Sequence, residues 1–137
     1  MMVGTDDYVA ILDLYAASNP LADGDDPVAY GDCYSPDGTL RSGGRDLGHT
    51  RAEIIEFRRK NMAGREGSVR RHFTANVRLE AMSPTRVTGQ CYMQAFDFKS
   101  ASEARLTHSG TYKDVLVKTD GRWFFCSREL AFDFVAG

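Results

Sequence analysis

The stretch VRRHFTANVRLEAM, Val69 to Met82, changes the period of the chain from helical to alternating and decides its fold. Three runs of the same kind follow, Arg86 to Lys99, Arg105 to Lys118 and Arg122 to Phe134. Between them lie Ser83-Pro84, Ser100-Ala101-Ser102-Glu103 and Thr119-Asp120-Gly121, all suited to hairpin turns. Strands of roughly 12 residues, against a usual 5 or 6, must curl strongly to remain soluble.

Working back toward the N-terminus, the period is helical. Thr5 or Asp6 caps a first helix, with Asp7 in its first turn and an apolar stripe of Val9, Ile11, Leu12, Leu14 and Tyr15. Asn19-Pro20 is expected to end or kink it, because proline lacks the donor and clashes with the preceding turn. Ala22 to Asp26 reads as a turn, and Pro27 opens a short second helix carrying Val28, Ala29, Tyr30 and Tyr34. Ser35-Pro36-Asp37-Gly38 predicts another turn. A short strand from Thr39 to Arg41 and a flexible Ser42-Gly43-Gly44-Arg45-Asp46 follow. Thr50 and Glu53 form a capping box for a third helix, whose apolar side is Ile54, Ile55, Phe57 and Met62. Gly64-Arg65-Glu66-Gly67 closes it. Helices first and an antiparallel meander after them indicate one α+β domain over residues 1–137. Its curved antiparallel sheet wraps the helices as a cone and leaves a conical cavity.

Composition excludes several function classes. Apolar residues make up 42% and charged residues 26%, ordinary for a globular protein. Seventeen basic residues against nineteen acidic ones leave a net charge of −2, so no overall field favours nucleic acid. The local basic stretch Arg58-Arg59-Lys60, with Arg65, Arg70 and Arg71, reads as a solvated helix end and loop. Cys33, Cys91 and Cys126 are odd in number and lack C-x-x-C spacing, so they are expected to pack as small apolar residues in a reducing compartment. The N-terminus has no signal-peptide pattern and no run is long enough to span a bilayer, so a cytoplasmic protein without membrane contact is expected. His49, His72 and His108 have no ligand spacing, and there is no phosphate loop or nucleophile elbow. Neither a metal nor a cofactor is expected.

One group remains for chemistry. His72 opens the first long strand, and the acidic cluster Asp23-Gly24-Asp25-Asp26 lies at the end of the first helix. A carboxylate that holds an imidazole is a minimal proton-transfer device. The alternative is a His72 that only satisfies buried hydrogen bonds. His49 belongs to a glycine-rich loop and reads as surface, whereas His108 shares strand parity with Tyr112 and could reach the cavity or its mouth. Among the aromatics, most are core, and Tyr15, Tyr92, Phe96 and Tyr112 are candidates for the cavity wall. Asn76 shares parity with His72 and Thr74, yet Val77 and Leu79 of opposite parity also look buried. Either both faces are covered or a bulge intervenes. Arg128, inside an apolar final strand, wants a structural carboxylate or an acidic ligand.

In this order and spacing the motifs resemble the SnoaL-like branch of the nuclear transport factor 2-like superfamily along nearly the whole chain. The markers are Leu14-Tyr15 ahead of Asp23, Tyr34-Ser35-Pro36-Asp37-Gly38, and Gly48 before the third helix. His72-Phe73-Thr74-Ala75-Asn76, Gly110-Thr111-Tyr112-Lys113-Asp114 and Asp120-Gly121-Arg122-Trp123 complete them. The resemblance implies a cystatin-like α+β barrel and a group that includes scytalone dehydratase, hexachlorocyclohexane dehydrochlorinase, bile-acid dehydratases and ketosteroid isomerase. It implies an Asp–His dyad at Asp23 and His72, with Tyr15 reaching substrate or dyad. Departures are plain: Ser18 stands where the dehydrochlorinase has a lysine. Scytalone dehydratase's second histidine and its asparagine have their nearest counterparts here around Phe96 to Asp97 and at Tyr112.

The leading expectation is a cofactor-independent lyase or isomerase acting on a hydrophobic cyclic molecule, with catalytic Asp23 and His72. Tyr15, Asn76, Tyr92, Phe96, His108, Tyr112 and Arg128 are the expected substrate-binding residues. A non-catalytic binding or assembly module, or an accessory subunit like the small subunit of ring-hydroxylating dioxygenases, are the alternatives. The exposed face of the meander predicts a homo-oligomer, a dimer or trimer.

Overall fold

The computed structural model describes residues 1–65 and 67–134. Three helices, α1 (Thr5–Asp23), α2 (Pro27–Gly31) and α3 (Arg51–Ala63), accompany six strands. The strands are β1 (Tyr34–Ser42), β2 (Arg45–Gly48), β3 (Val69–Ser83), β4 (Arg86–Ser100), β5 (Glu103–Thr119) and β6 (Arg122–Phe132). They form a single sheet in the order β2-β1-β6-β5-β4-β3. The four long strands fall where alternation places them. Asp120 and Gly121, with φ of 50° and 78°, make the tight turn between β5 and β6.

Several expectations need correction, beginning with the cap of α1, which is Gly4 with no side-chain hydrogen bond rather than Thr5 or Asp6. The sheet is not wholly antiparallel: β1 pairs with β6 in parallel, which makes it mixed, and β2 and β3 remain as edges, so the barrel is open. Pro20 does not end α1, which continues to Asp23. The last turn is held from outside, where Arg65 Nη2 donates to the Ala22 carbonyl at 2.8 Å and Ala22 is buried. Ser35 to Gly38 is not a free turn but an irregularity within β1, between the Tyr34–Phe125 and Thr39–Ser127 pairs. Tyr34 accordingly opens β1 rather than riding on α2. Ser42 to Asp46 contains a hairpin, with Gly43 and Gly44 joining β1 to β2. Thr50 does cap α3, accepting from the Glu53 N–H at 3.2 Å, while Glu53 Oε2 accepts from the His49 N–H at 3.2 Å. Glu66 of the closing segment lies outside the described residues.

Cross-strand register turns the alternation into rows on the concave face. His72, Ala95 and His108 make one row. Thr74, Met93 and Gly110 make the next, and Leu79, Gly89, Asp114 and Arg128 make a deeper one. The rows stay aligned only because β3 carries one extra residue: Ala75 pairs Tyr92 but Arg78 pairs Gln90, and Asn76 sits there at φ 60°. His72 and Thr74 therefore face inward before the bulge, and Val77, Leu79 and Ala81 pack inward after it. The parity conflict at Asn76 is thus a bulge, and Asn76 is exposed.

Helix α1 closes the deep row through Tyr15. Its hydroxyl donates to Asp114 Oδ2 at 2.5 Å, and Arg128 Nε donates to Asp114 Oδ1 at 2.9 Å, with all three residues buried. Residue 89 must be glycine for this, since a Cβ there would collide with the Tyr15 hydroxyl. The Arg128 guanidinium also lies 3.7 Å from the Tyr112 ring centroid and 4.2 Å from that of Phe125. Removing one partner leaves a buried charge alone, so Asp114→Leu should cost about 3–5 kcal/mol in urea unfolding. Asp114→Leu combined with Arg128→Met should cost much less than the two single changes added together. Strictly additive losses would mean that the pair is not coupled.

Candidate functional site

Helix α1 ends and β3 begins at one point of the fold, and a single carboxylate joins them. Asp23 Oδ2 accepts from the His72 backbone N–H at 2.9 Å, and Asp23 Oδ1 contacts His72 Nδ1 in a very short hydrogen bond. Both side chains are nearly enclosed, 6% exposed for Asp23 and 8% for His72. An acceptor at Nδ1 places the ring proton on that nitrogen in the neutral imidazole and leaves a lone pair on Nε2. Among the described residues Nε2 has no protein partner, and His72 contributes to the wall of the inner cavity.

Burial lowers the His72 pKa below its ordinary 6.5; Asp23 pulls in the opposite direction, and Arg58 and Arg70 add to the lowering. Desolvation is the larger effect, so the neutral base form dominates at neutral pH. The sign for folding follows: the native state binds the proton less readily than the unfolded chain. The contribution of His72 to stability is complete above pH 6.5 and is lost as the pH falls toward the lower native value.

The cavity that contains the His72 ring has a volume of about 90 Å³. His108, Tyr112, Arg58, Arg70 and Tyr30 are among its wall residues. Arg70 is neutralised by Asp97, with Nη2 to Oδ2 at 3.0 Å and a shorter contact through Nε. His108 Nδ1 meets the Thr107 hydroxyl at 2.9 Å, and its pKa is lowered by burial and then by Arg70 and His72. Burial pushes the Tyr112 hydroxyl up to about 12, which keeps it a neutral hydroxyl. Of the larger depressions, those of about 680 and 500 Å³ contain neither dyad residue, while one of about 300 Å³ at the end of α1 is lined by Asp23 and Arg70 but not by His72. No group of three or more potential ligand residues suited to a metal occurs among the described residues.

Of the residues expected from sequence, the structure brings Asp23, His72, His108 and Tyr112 together. The other five are elsewhere. Tyr15 reaches Asp114 instead of the dyad, and Arg128 is held by the same carboxylate, so both belong to the structural network under the cavity. Asn76 is turned out by the bulge. On β4 the inward positions are Cys91, Met93 and Ala95, which leaves Tyr92 outward at 58% exposure. Phe96, paired with the exposed Arg71, packs edge-on against the exposed ring of Phe73. Arg58 was missed, because its basic neighbours suggested a solvated helix end. Arg59 and Lys60 are exposed, but Arg58 is buried. Its spacing from Ile54 by four residues was the available signal.

Residues 4–129 match the SnoaL-like domain family. No match was found among curated proteins. Among solved structures, ActVI-ORFA of Streptomyces coelicolor is 25% identical, with 96% of this chain and 100% of that one aligned at a TM-score of 0.85. Aln2 of a Streptomyces species is 19% identical over 97% of this chain and 95% of its own, with a TM-score of 0.88. A nuclear transport factor 2-like protein with a cystatin-like fold from Novosphingobium aromaticivorans is 19% identical, covering 96% and 84%, with a TM-score of 0.81. These likenesses establish the cystatin-like α+β fold.

Proposed function

The chain belongs to the SnoaL-like domain family, and on that premise we propose that its inner cavity is the site of a cofactor-independent lyase or isomerase. The observation that carries the reading is the double contact of Asp23 with His72, through the ring Nδ1 and the backbone N–H. It fixes the ring, sets the tautomer and stabilises the imidazolium that forms when Nε2 takes a proton. The substrate class is a hydrophobic cyclic molecule with an acidic C–H next to a carbonyl. His72 Nε2 removes that proton, and the C–H electron pair moves toward the carbonyl oxygen to give an enolate. In elimination the enolate collapses, a β-hydroxyl departs, and the proton held by His72 completes it as water. In isomerisation the same proton returns to another carbon. Both outcomes balance without an external oxidant or cofactor.

Such a base contributes about 10²–10⁴-fold. His72→Gln and Asp23→Asn should each reduce turnover on a panel of β-hydroxy carbonyl and halogenated ring compounds within that range. The wild-type rate should rise with pH through a midpoint below 6.5 and then level off. Turnover unchanged by His72→Gln would overturn the reading.

One observation favours a second reading, a non-catalytic module of the same fold. At about 90 Å³ the cavity is smaller than the several hundred Å³ of usual ligand sites. A ring enters only if wall side chains such as Met93 and Phe57 yield. Met93, unbranched and buried, is the more adaptable of these.

The proposed assembly is a homodimer through the outer sheet face, where Phe73 is 56% exposed and Tyr92 58%. Light scattering should give twice the mass of one chain, and the mass of a single chain would contradict it. No helix of the described residues is long and apolar enough to cross a membrane. The three free cysteines, Cys33, Cys91 and Cys126, support a reducing, cytoplasmic setting.

A further inference from the structure

Among the described residues, Arg58 is a cation without a counter-ion. It projects from α3 into the cavity wall shared with His72, and it is 8% exposed. Arg65 nearby leaves one nitrogen, Nη1, buried without a partner, but it is only half-buried and its Nη2 donates to the Ala22 carbonyl at 2.8 Å. Arg70 is matched by Asp97 and Arg128 by Asp114, whereas no carboxylate lies within salt-bridge distance of Arg58 among the described residues. Its Nε is buried with no hydrogen-bond partner, its contact from Nη1 to Asn61 Oδ1 is long at 3.4 Å, and the Tyr30 hydroxyl is the other polar side chain acting on it. The guanidinium rests 4.3 Å from the Tyr30 ring centroid and 5.5 Å from that of Phe57. Aromatic faces hold a cation in place but leave its N–H donors unsatisfied. An enclosed guanidinium with spare donors is matched to an anionic oxygen, and a bidentate one best of all.

The position makes this a functional matter. The cavity holds a base at His72 and, on its α3 side, an uncompensated positive charge. Proton removal by His72 creates negative charge on the substrate, and a fixed cation in a water-poor site stabilises the oxygen on which that charge collects. We propose that Arg58 is the oxyanion-binding residue of the site, and that the ligand class is a cyclic molecule bearing an ionised oxygen, either an enolate formed in the reaction or a carboxylate carried in. The proposal rests on the lyase or isomerase reading for its catalytic half, while the binding half stands on Arg58 alone. It also accounts for the absence of a partner among the described residues: the ligand supplies the carboxylate or enolate that none of them does.

The test uses 4-nitrophenolate as an enolate mimic, benzoate as a permanent carboxylate and 4-nitroanisole as a neutral shape control. Binding to the full chain is followed by calorimetry, at a pH where the phenol is ionised in free solution. The wild-type protein should prefer the anions over 4-nitroanisole. Arg58→Met, which keeps the length and apolar stem, should weaken anion binding by about tenfold or more and alter 4-nitroanisole binding by less than about twofold. Arg58→Lys, which keeps the charge, should recover part of the loss and guards against a folding defect in the methionine variant. Preference for 4-nitrophenolate over benzoate assigns the site to an enolate, and the reverse assigns it to a carboxylate. Wild-type protein that binds neither anion at millimolar concentration, or Arg58→Met binding them undiminished, overturns the proposal. Arg58-dependent anion binding with no turnover on any compound would uphold the anion site and refute the lyase reading instead.

Discussion

Everything at the site depends on one carboxylate reaching two donors of one residue. Asp23 holds the His72 backbone and its ring together, so the end of α1 and the start of β3 are a single joint. The joint exists only because α1 continues past Pro20; a helix broken there would leave Asp23 in a loop with no fixed direction. Arg65 secures the same turn from the far side through the Ala22 carbonyl. A hydrogen bond to a charged group is also among the stronger ones in a protein. Enclosure strengthens it further, because water competes poorly for either partner.

The sheet supplies the second condition. Long strands bring residues from β3, β4 and β5 into one row, and the extra residue at Asn76 keeps the rest of β3 in phase with the core. Without that bulge, either His72 and Thr74 or Val77, Leu79 and Ala81 would point to solvent. Below the row, Tyr15, Asp114 and Arg128 form a buried polar layer whose charges are balanced within the chain. The cavity above it is different, since Arg58 brings charge that no side chain among the described residues balances. The floor is therefore balanced within the chain and the wall is not balanced by any described residue, although both are built from arginine, tyrosine and aspartate.

Much of this is legible in the sequence. Alternation over Val69 to Met82 and its three successors fixed the long strands, and Asp120-Gly121 marked a turn that only a few residue pairs satisfy. The capping pair Thr50 and Glu53 marked the start of α3 by chemistry alone. Face assignment was harder. On β4 the set Cys91, Met93, Ala95 is wholly apolar, while Gln90 and Gln94 share parity with Tyr92 and Phe96 and mark the outward face; the two large aromatics mask that signal. Arg128 was legible as a charge in need of a partner, but Asp114 is fixed by register across β5 and β6, which the sequence does not print. Arg58 was hidden for the opposite reason. Charge is a poor guide to exposure when aromatic rings are available to cover a guanidinium.

The most direct measurement is the long-range proton–nitrogen NMR spectrum of His72 followed through a pH titration. The account predicts a neutral ring protonated at Nδ1, an unprotonated Nε2, and a midpoint below 6.5. Asp23→Asn should release the tautomer preference while leaving the chain folded. A proton on Nε2 at neutral pH, or a midpoint at or above 6.5, would contradict it.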